Sequence, residues 1–432
     1  MRVGLTYLVR GQPMRITSIL LSFALALVPA APALAQINET TQVPAKPVTS
    51  RGEDVVRLYG RAKYGNIPDQ VRLADAYDDG DGVAKDRALA LVWFKAAANY
   101  GDAEAQYEMG RAYLLGQGVP RDTAQAADWL RKSAEQGYGP AQVMFGFLYE
   151  DGEGVPRDDV QAYTWRTLSL LVPRAVIDKD GRIAAGNDLL GAKLTAAQMA
   201  QAEAQIKAWK PAPLTPDQQV SAAIDSVKVN PIHETLNVLR PLAEGGHVRA
   251  QYLLGALYGV GMGMPRDPAT AIVWYQKAAE QGHPVAQYML GLAYQKGEDL
   301  AKDDAAAIRW LRPAADANIG KAQYLLGILH LGGKGVPPDD VAGRALLQAA
   351  ADQGESDAQY FLSTLIVAGR GGPADLVEGY KWLLLTEAYR DDDEILGMMA
   401  ELKADLITKM TPAEIAEAER RAAVWMPTFP KP

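Results

Sequence analysis

A reaction centre in this chain would have to be assembled from four histidines and a few acidic runs, because the 432 residues include no cysteine. Thiol chemistry and disulfide frameworks are therefore closed to it. His247 and His283 stand 36 residues apart, each just after a glycine, which is a turn position and not a convergent metal-ligand set. His330 falls where other copies of the same pattern carry tyrosine, so it is expected in the core; His233 has no partner in the pattern. Gly354-Glu355-Ser356-Asp357-Ala358 resembles a nucleophile elbow but lacks the second glycine, and it opens a helix without a preceding strand, which points to capping. Gly259–Gly263 and Gly332–Gly335 mimic phosphate loops, again with no strand before them. Asp178-Lys179-Asp180-Gly181 begins like a calcium loop, yet Leu189 stands where the bidentate glutamate should fall. No metal or cofactor site emerges. Paired acids in the irregular stretches 173–191 and 387–410, including Asp178, Asp180 and Asp391 to Glu394, leave one enzymatic alternative: a cell-wall-directed enzyme, or a subunit of one, using glycoside chemistry.

The residues that dominate the sequence do something else. Asp86, Asp122 and Asp158 are spaced 36 apart, as are Trp93, Trp129 and Trp165, and Tyr77, Tyr113 and Tyr149. The period resumes with Asp267, Asp303, Asp339 and Asp375, accompanied by Trp274, Trp310, Leu346 and Trp382. A fixed period of this length means stacked copies of one supersecondary unit that cannot bury its own faces alone. Within 103–137, Ala105, Met109, Ala112 and Tyr113 make one helical apolar face, and Gly116 and Gly118 stop it. Asp122 with Gln125 reads as a capping box opening a second helix, whose face is Ala126, Trp129, Leu130 and Ala134. Asp158 with Gln161 and Asp375 with Glu378 repeat the box, and the recurring tryptophans are expected to be buried. The fold expected is all-α: an α-solenoid of antiparallel helix hairpins, about seven 36-residue repeats in two arrays.

These residues carry a family resemblance. The pattern Ala-Gln-Tyr-x-x-Gly-x-x-Tyr-x-x-Gly-x-Gly, followed by Asp-x-x-x-Ala-x-x-Trp-x-x-Lys-Ala-Ala-x-x-Gly, resembles the Sel-like repeat, a relative of the tetratricopeptide repeat; 252–282 matches it almost throughout. The likeness covers about 65–172 and 235–390. Asp299 and Asn318 stand in for glycines, His330 and Ile366 for the second tyrosine, and Leu346 for tryptophan. The resemblance implies a right-handed superhelix whose role is to hold other proteins, and in bacterial envelopes such proteins often act as adaptors or regulators.

Between the arrays, 194–209 and 410–425 echo each other at a distance of 216, each with a threonine N-cap and a closing Trp-x-Pro. They read as helices that close two duplicated arrays, with the proline-rich 210–216 as hinge. The expected layout is 1–35 leader, 36–51 linker, 52–213 first array of three repeats, and 214–432 second array of four. Arg2, Arg10 and Arg15, an apolar run over 16–28 and Ala33-Leu34-Ala35 make the leader a signal peptide. Its apolar run is about half the length needed to span a bilayer, which makes a retained anchor the weaker reading, and no later stretch approaches membrane-spanning length. Without the leader the chain carries 41 basic and 52 acidic residues, a formal charge of −11, which repels nucleic acid and anionic lipid. The location expected is the periplasm, with secretion beyond it as the alternative, and the partner expected is another protein of the envelope.

The candidate partner surface lies on the first helices of the second array. With Ala250, Leu254 and Tyr258 facing the core, Leu253 and Ala256 lie well away from that face at 100° per residue. Their equivalents are Met289 with Leu292, Leu325 with Ile328, and Phe361. Two readings apply: an apolar groove for an amphipathic helix or extended peptide, rimmed by the tyrosines at 252, 288, 324 and 360, or packing between neighbouring hairpins. The equivalent pairs in the first array are Glu108 with Arg111 and Met144 with Phe147.

Overall fold

The computed structural model describes residues 55, 58–62, 66–171, 181–226, 232–262, 264–388 and 393–425. The leader, the linker and the acids at 178, 180, 391 and 392 lie outside them. Among the described residues every regular element is a helix. Two compact units divide between Asp225 and Ser226.

The N-terminal unit contains three hairpins: α1 (Ile67–Asp79) with α2 (Arg87–Asn99), α3 (Ala103–Leu115) with α4 (Thr123–Glu135), and α5 (Gly139–Asp151) with α6 (Asp159–Leu171). Each hairpin stacks on the next, and α7 (Arg182–Gly191) and α8 (Ala196–Ala208) both pack on α6. Then α9 (Pro216–Ser226), which lies beyond the expected joint at 213, bonds back to this unit through Gln218.

The C-terminal unit begins with α10 (Ile232–Glu244), which packs on α11 (Val248–Val260). Its hairpins are α11 with α12 (Pro268–Glu280), α13 (Pro284–Lys296) with α14 (Asp304–Asp316), α15 (Gly320–Gly332) with α16 (Asp340–Asp352), and α17 (Ser356–Ala368) with α18 (Leu376–Ala388). Two further helices, α19 (Asp393–Lys409) and α20 (Pro412–Ala423), close on α18.

The periodic aspartates explain themselves locally. Each caps a second helix by accepting the backbone N–H three residues on, as Asp122 does from Gln125 at 3.0 Å and Asp339 from Ala342 at 2.9 Å. Each also donates its own N–H to the carbonyl nine residues back, for instance Asp122 to Tyr113 at 2.9 Å and Asp339 to His330 at 3.0 Å. Because that bond uses only the backbone of the earlier residue, His330 and Ile366 can replace tyrosine there without losing it. The full capping boxes expected at these aspartates do not form. Gln125 turns its amide to the Asp122 carboxylate, Gln161 reaches Gln205, and Glu378 pairs with Lys381. Complete boxes appear instead on the two closing helices, Thr195 with Gln198 and Thr411 with Glu414.

The hairpins cross closely where a glycine interrupts the first helix. A Cβ on Gly291 would lie 2.5 Å from Leu311 Cγ, and one on Gly110 would lie 2.6 Å from Leu130 Cγ. In the last hairpin the arrangement is inverted. Ser363 occupies the glycine position, the glycine moves to Gly379 on the partner helix, and Ser363 Oγ donates to the Gly379 carbonyl at 2.7 Å. Asn318 takes the left-handed backbone of the glycine it replaces (φ +61°), whereas Asp299 does not and instead receives Arg266 at 3.0 Å. The expectation of buried tryptophans holds for Trp93 and Trp382. Trp129, Trp165, Trp274 and Trp310 are only half-buried, because the second helices leave their outer faces to solvent. Lys132 and Lys277 sit over the first and third of these rings at 4.6 and 4.1 Å.

Candidate functional site

The seven residues of the expected groove separate into two groups. Leu253, Ala256, Met289 and Leu292 are buried, none more than 8% exposed. None of these four side chains on α11 and α13 is open to solvent. Tyr252 and Tyr288 are buried with them and cannot serve as a polar rim, and burial pushes the Tyr252 hydroxyl well above its ordinary range. Leu325, Ile328 and Phe361 on α15 and α17 are half-buried. Phe361 stands 5.9 Å from the Tyr324 ring and 5.5 Å from the Tyr360 ring, and with Ile328 it packs at the edge of the core formed by Leu347, Leu362 and Trp382. The apolar surface that remains accessible is therefore the far end of the stripe.

The same two rows carry charge in the N-terminal unit. Counting back in steps of 36 from Met144 and Phe147 gives Glu108 with Arg111, then Arg72 with Asp75. Arg87 pairs with Asp78 at 2.7 Å and Glu108 at 3.4 Å, and Arg111 pairs with Glu108 at 2.8 Å. Asp75 sits among these groups, and desolvation, reinforced by Glu104, Glu108, Asp79 and Asp78, raises its pKa to about 6. Phe147 is 41% exposed, with the buried Arg166 guanidinium over its ring at 4.8 Å. The rows thus change chemistry along the chain, charged on α1 and α3 and apolar on α5 and on the first helices of the C-terminal unit. The pair Glu108 with Arg111 already showed the change in the sequence, and Arg72 with Asp75 extends it by one repeat.

The histidines at turns act as caps. Nδ1 of His247 accepts from the Ala250 N–H and Nδ1 of His283 from the Ala286 N–H, both at 3.3 Å. His283 also stacks on Tyr252 at 4.5 Å. Burial lowers its pKa to about 4, so it is held neutral. His330 was expected as a satisfied core residue, but its Nδ1 finds no hydrogen-bond partner. Ser356 is not a cap either: the N-cap of α17 is Glu355, which makes no side-chain cap bond. Among the described residues no group of three or more histidines or acids is placed to hold a metal ion. None of their helices is long and apolar enough to cross a membrane.

One recurrent residue carries a role that sequence reasoning missed. The glutamine of each Ala-Gln-Tyr is buried, and its Nε2 donates to the carbonyl eight residues back, as Gln106 does to Ala98 at 3.2 Å and Gln323 to Ala315 at 3.2 Å. That orientation leaves Oε1 to accept. Gln136, Gln281 and Gln353 each donate to it at 2.7 Å from the end of the second helix of the same hairpin, to Gln106, Gln251 and Gln323 respectively, while the bond to the carbonyl eight residues back reaches the preceding hairpin. Amides therefore stitch hairpin to hairpin inside the stack. The recurrence of glutamine thirty residues on was the available signal.

The Sel1 repeat model matches this chain at residues 68–102, 103–138, 139–165, 248–283, 284–319, 320–355 and 356–385, more than half of its length. Several solved structures are similar. A protective antigen of uropathogenic Escherichia coli with an SLR fold is 26% identical, with 90% of this chain and 88% of that one covered and a TM-score of 0.38. A Sel1 repeat protein from Oxalobacter formigenes is 23% identical, with 88% and 99% covered and a TM-score of 0.39. A putative sel1 repeat protein from Klebsiella pneumoniae subsp. pneumoniae is 18% identical, with 54% and 95% covered and a TM-score of 0.22. No curated protein matches the chain.

Proposed function

Because the chain belongs to the Sel1 repeat family, whose members are generally protein-binding scaffolds and not catalysts, we propose that it is an exported adaptor that binds a protein of the bacterial envelope. Export rests on the leader, with its three arginines, apolar run and Ala-Leu-Ala site. Binding rests on the half-buried apolar end of the first-helix stripe, Leu325, Ile328 and Phe361, flanked by Tyr324 and Tyr360. That combination suits an amphipathic or extended protein segment, which would bury the aromatic edge and find hydroxyl partners beside it. The recurrent polar residues of the repeats are engaged as caps and as interior amides, which is the economy of a scaffold.

The observation that carries the reading is the contrast within the stripe: apolar residues that recur in register are buried in α11 and α13 and half-exposed in α15 and α17. The test is photocrosslinking in living cells with the reactive group at Leu325 or Phe361. A recurrent protein product, lost when Ile328 becomes Lys in a chain that keeps its helical content, supports the adaptor. Turnover of cell-wall material that is abolished by amide substitutions at Asp178, Asp180 or Asp391 would favour the enzymatic alternative and count against it.

A further inference from the structure

Cations on the first helices of the N-terminal unit are outnumbered by the acids around them. Arg87 and Arg111 both pair with Asp78 and Glu108, and Arg72 turns to Asp69 at 3.5 Å. Asp75 and Glu104 are exposed, and among the described residues neither has a hydrogen bond or an ion pair. The charges that reach Asp75 are all negative, from Glu104, Glu108, Asp79 and Asp78; those that reach Glu104 come from Asp102 and Glu108. Desolvation, and then this repulsion, hold both carboxyls above the usual carboxylate range. Like charges gathered without a counter-charge destabilise the fold, and a partner that brings cations relieves them.

The acids border an aromatic surface. Tyr138, the N-cap of α5, lies in the field of Glu104, Glu108 and Asp102, and its ring is 5.5 Å from that of Tyr107. Both rings are half-buried, and Met144 packs with them on the core around Leu130 and Phe145. One turn further along α5, Phe147 is 41% exposed. Its ring is braced from one side by the Arg166 guanidinium, which also pairs with Glu150. Arg166 is buried and stands where the other hairpins carry Phe94, Leu130, Tyr275, Leu311, Leu347 and Leu383. A charge at such an apolar position is costly, and this one steadies a ring that stays open to solvent.

We propose that this face, from Asp75 and Glu104 through Tyr138 to Phe147, is a second docking surface, and that it takes a basic protein segment with an apolar residue beside its cations. Charge complementarity argues for that occupant. Lysine or arginine relieves the repulsion at Asp75 and Glu104 and lies against the tyrosine rings, while the apolar residue covers Phe147. The same acids repel nucleic acid and anionic lipid, and a small polycation would leave Phe147 uncovered. The inference rests on the reading of the chain as a protein-binding scaffold. It adds a partner chemistry distinct from that of the apolar end at Leu325, Ile328 and Phe361.

The probe is a phage library of random short peptides selected on the full chain, with clones that lose binding to the Ile328→Lys chain set aside as ligands of the C-terminal stripe. The remaining peptides should carry two or more lysines or arginines close to a phenylalanine, leucine or tryptophan. A synthetic peptide of that sequence, followed by fluorescence polarisation, should bind about fivefold more weakly to Asp75→Asn/Glu104→Gln, as two exposed charge pairs imply. Glu401→Gln/Asp405→Asn makes the same change of net charge in the other unit and should leave affinity unaltered. Phe147→Ser should weaken binding at least about tenfold, as loss of an aromatic anchor does. Neutralising Asp75 and Glu104 removes repulsion from the fold, so unfolding cannot account for weaker binding to that variant. No enrichment, enrichment of acidic or uncharged peptides, unchanged affinity for Asp75→Asn/Glu104→Gln or Phe147→Ser, or equal weakening by the two double variants would each overturn the surface. Capture of a cellular partner through Leu325 or Phe361 alongside any of those results would leave the scaffold reading standing and reject this surface alone.

Discussion

Replacing Gly291 by alanine sets two known effects against each other. Alanine in a helix interior is favoured over glycine by about 1 kcal/mol, since glycine loses more backbone freedom on folding. The new methyl would lie 2.5 Å from Leu311 Cγ, 2.8 Å from its Cδ2 and 3.2 Å from the Ala307 carbonyl. Leu311 is fully buried, so its side chain cannot swing into solvent, and the neighbouring backbone is held by α14. Overpacking of this kind costs about 1–3 kcal/mol, and with the fully buried Leu311 unable to give way the upper part of that range applies, so the net effect is destabilisation by up to about 2 kcal/mol. Gly327 is the internal control. Its added methyl would be 3.1 Å from the Gly343 carbonyl and 3.2 Å from Leu347 Cγ, contacts relieved by a few tenths of an ångström, and the helix preference should roughly cancel the strain. In urea unfolding of the full chain, Gly291→Ala should lower stability while Gly327→Ala changes it by less than about 0.5 kcal/mol; the thermal midpoints should differ by about 2–6 °C. Leu311→Ala, which alone costs about 2–5 kcal/mol, should cost less in the Gly291→Ala background because it removes the obstructing atoms. Equal stability of the two glycine variants, or a stabilised Gly291→Ala, would refute the close-crossing argument.

Other predictions concern pH and capping. His283 has its pKa lowered from 6.5 to about 4, so its contribution is present above pH 6.5 and lost as pH falls towards 4, by about 3 kcal/mol at most. His283→Asn keeps a capping oxygen and should flatten stability over that window, measured by urea midpoints from pH 7 to 4. Asp75 behaves oppositely. Its pKa is raised from 3.8 to about 6, so the fold loses stability as pH rises through that interval. Asp75→Asn should therefore stabilise the chain at pH 7, by about 1 kcal/mol once solvent screening at this exposed position is allowed for, and have no effect at pH 3. Removing the cap with Asp339→Ala should cost about 1 kcal/mol, and Asp339→Asn much less, since the carboxamide oxygen still accepts the Ala342 N–H.

Much of the fold was legible because it repeats. Helix starts at the periodic aspartates and stops at Gly80, Gly116 and Gly152 follow from local backbone chemistry, which a single sequence displays seven times over. The threonine caps of the closing helices were equally local. What escaped was set by contacts between repeats. Leu253 and Leu325 occupy the same helical position, yet one is buried and the other half-open, a difference decided by neighbours and not by period. The half-exposure of Trp129 and Trp274 belongs to the same class, because a conserved spacing fixes the face and not how much of it the next hairpin covers. Gln218 was the hardest case: its partners lie 117 and 82 residues away, and no local pattern announces them.

The central claim is that the half-open end of the first-helix stripe holds a protein. The most direct measurement places a photoreactive residue at Phe361 in the full chain, in living cells, with the buried Leu253 position as a control. The account predicts a recurrent protein product from Phe361, none from Leu253, and loss of the product when Ile328 becomes Lys in a folded chain. A folded, exported chain that yields no protein product at Phe361 or Leu325 would contradict it.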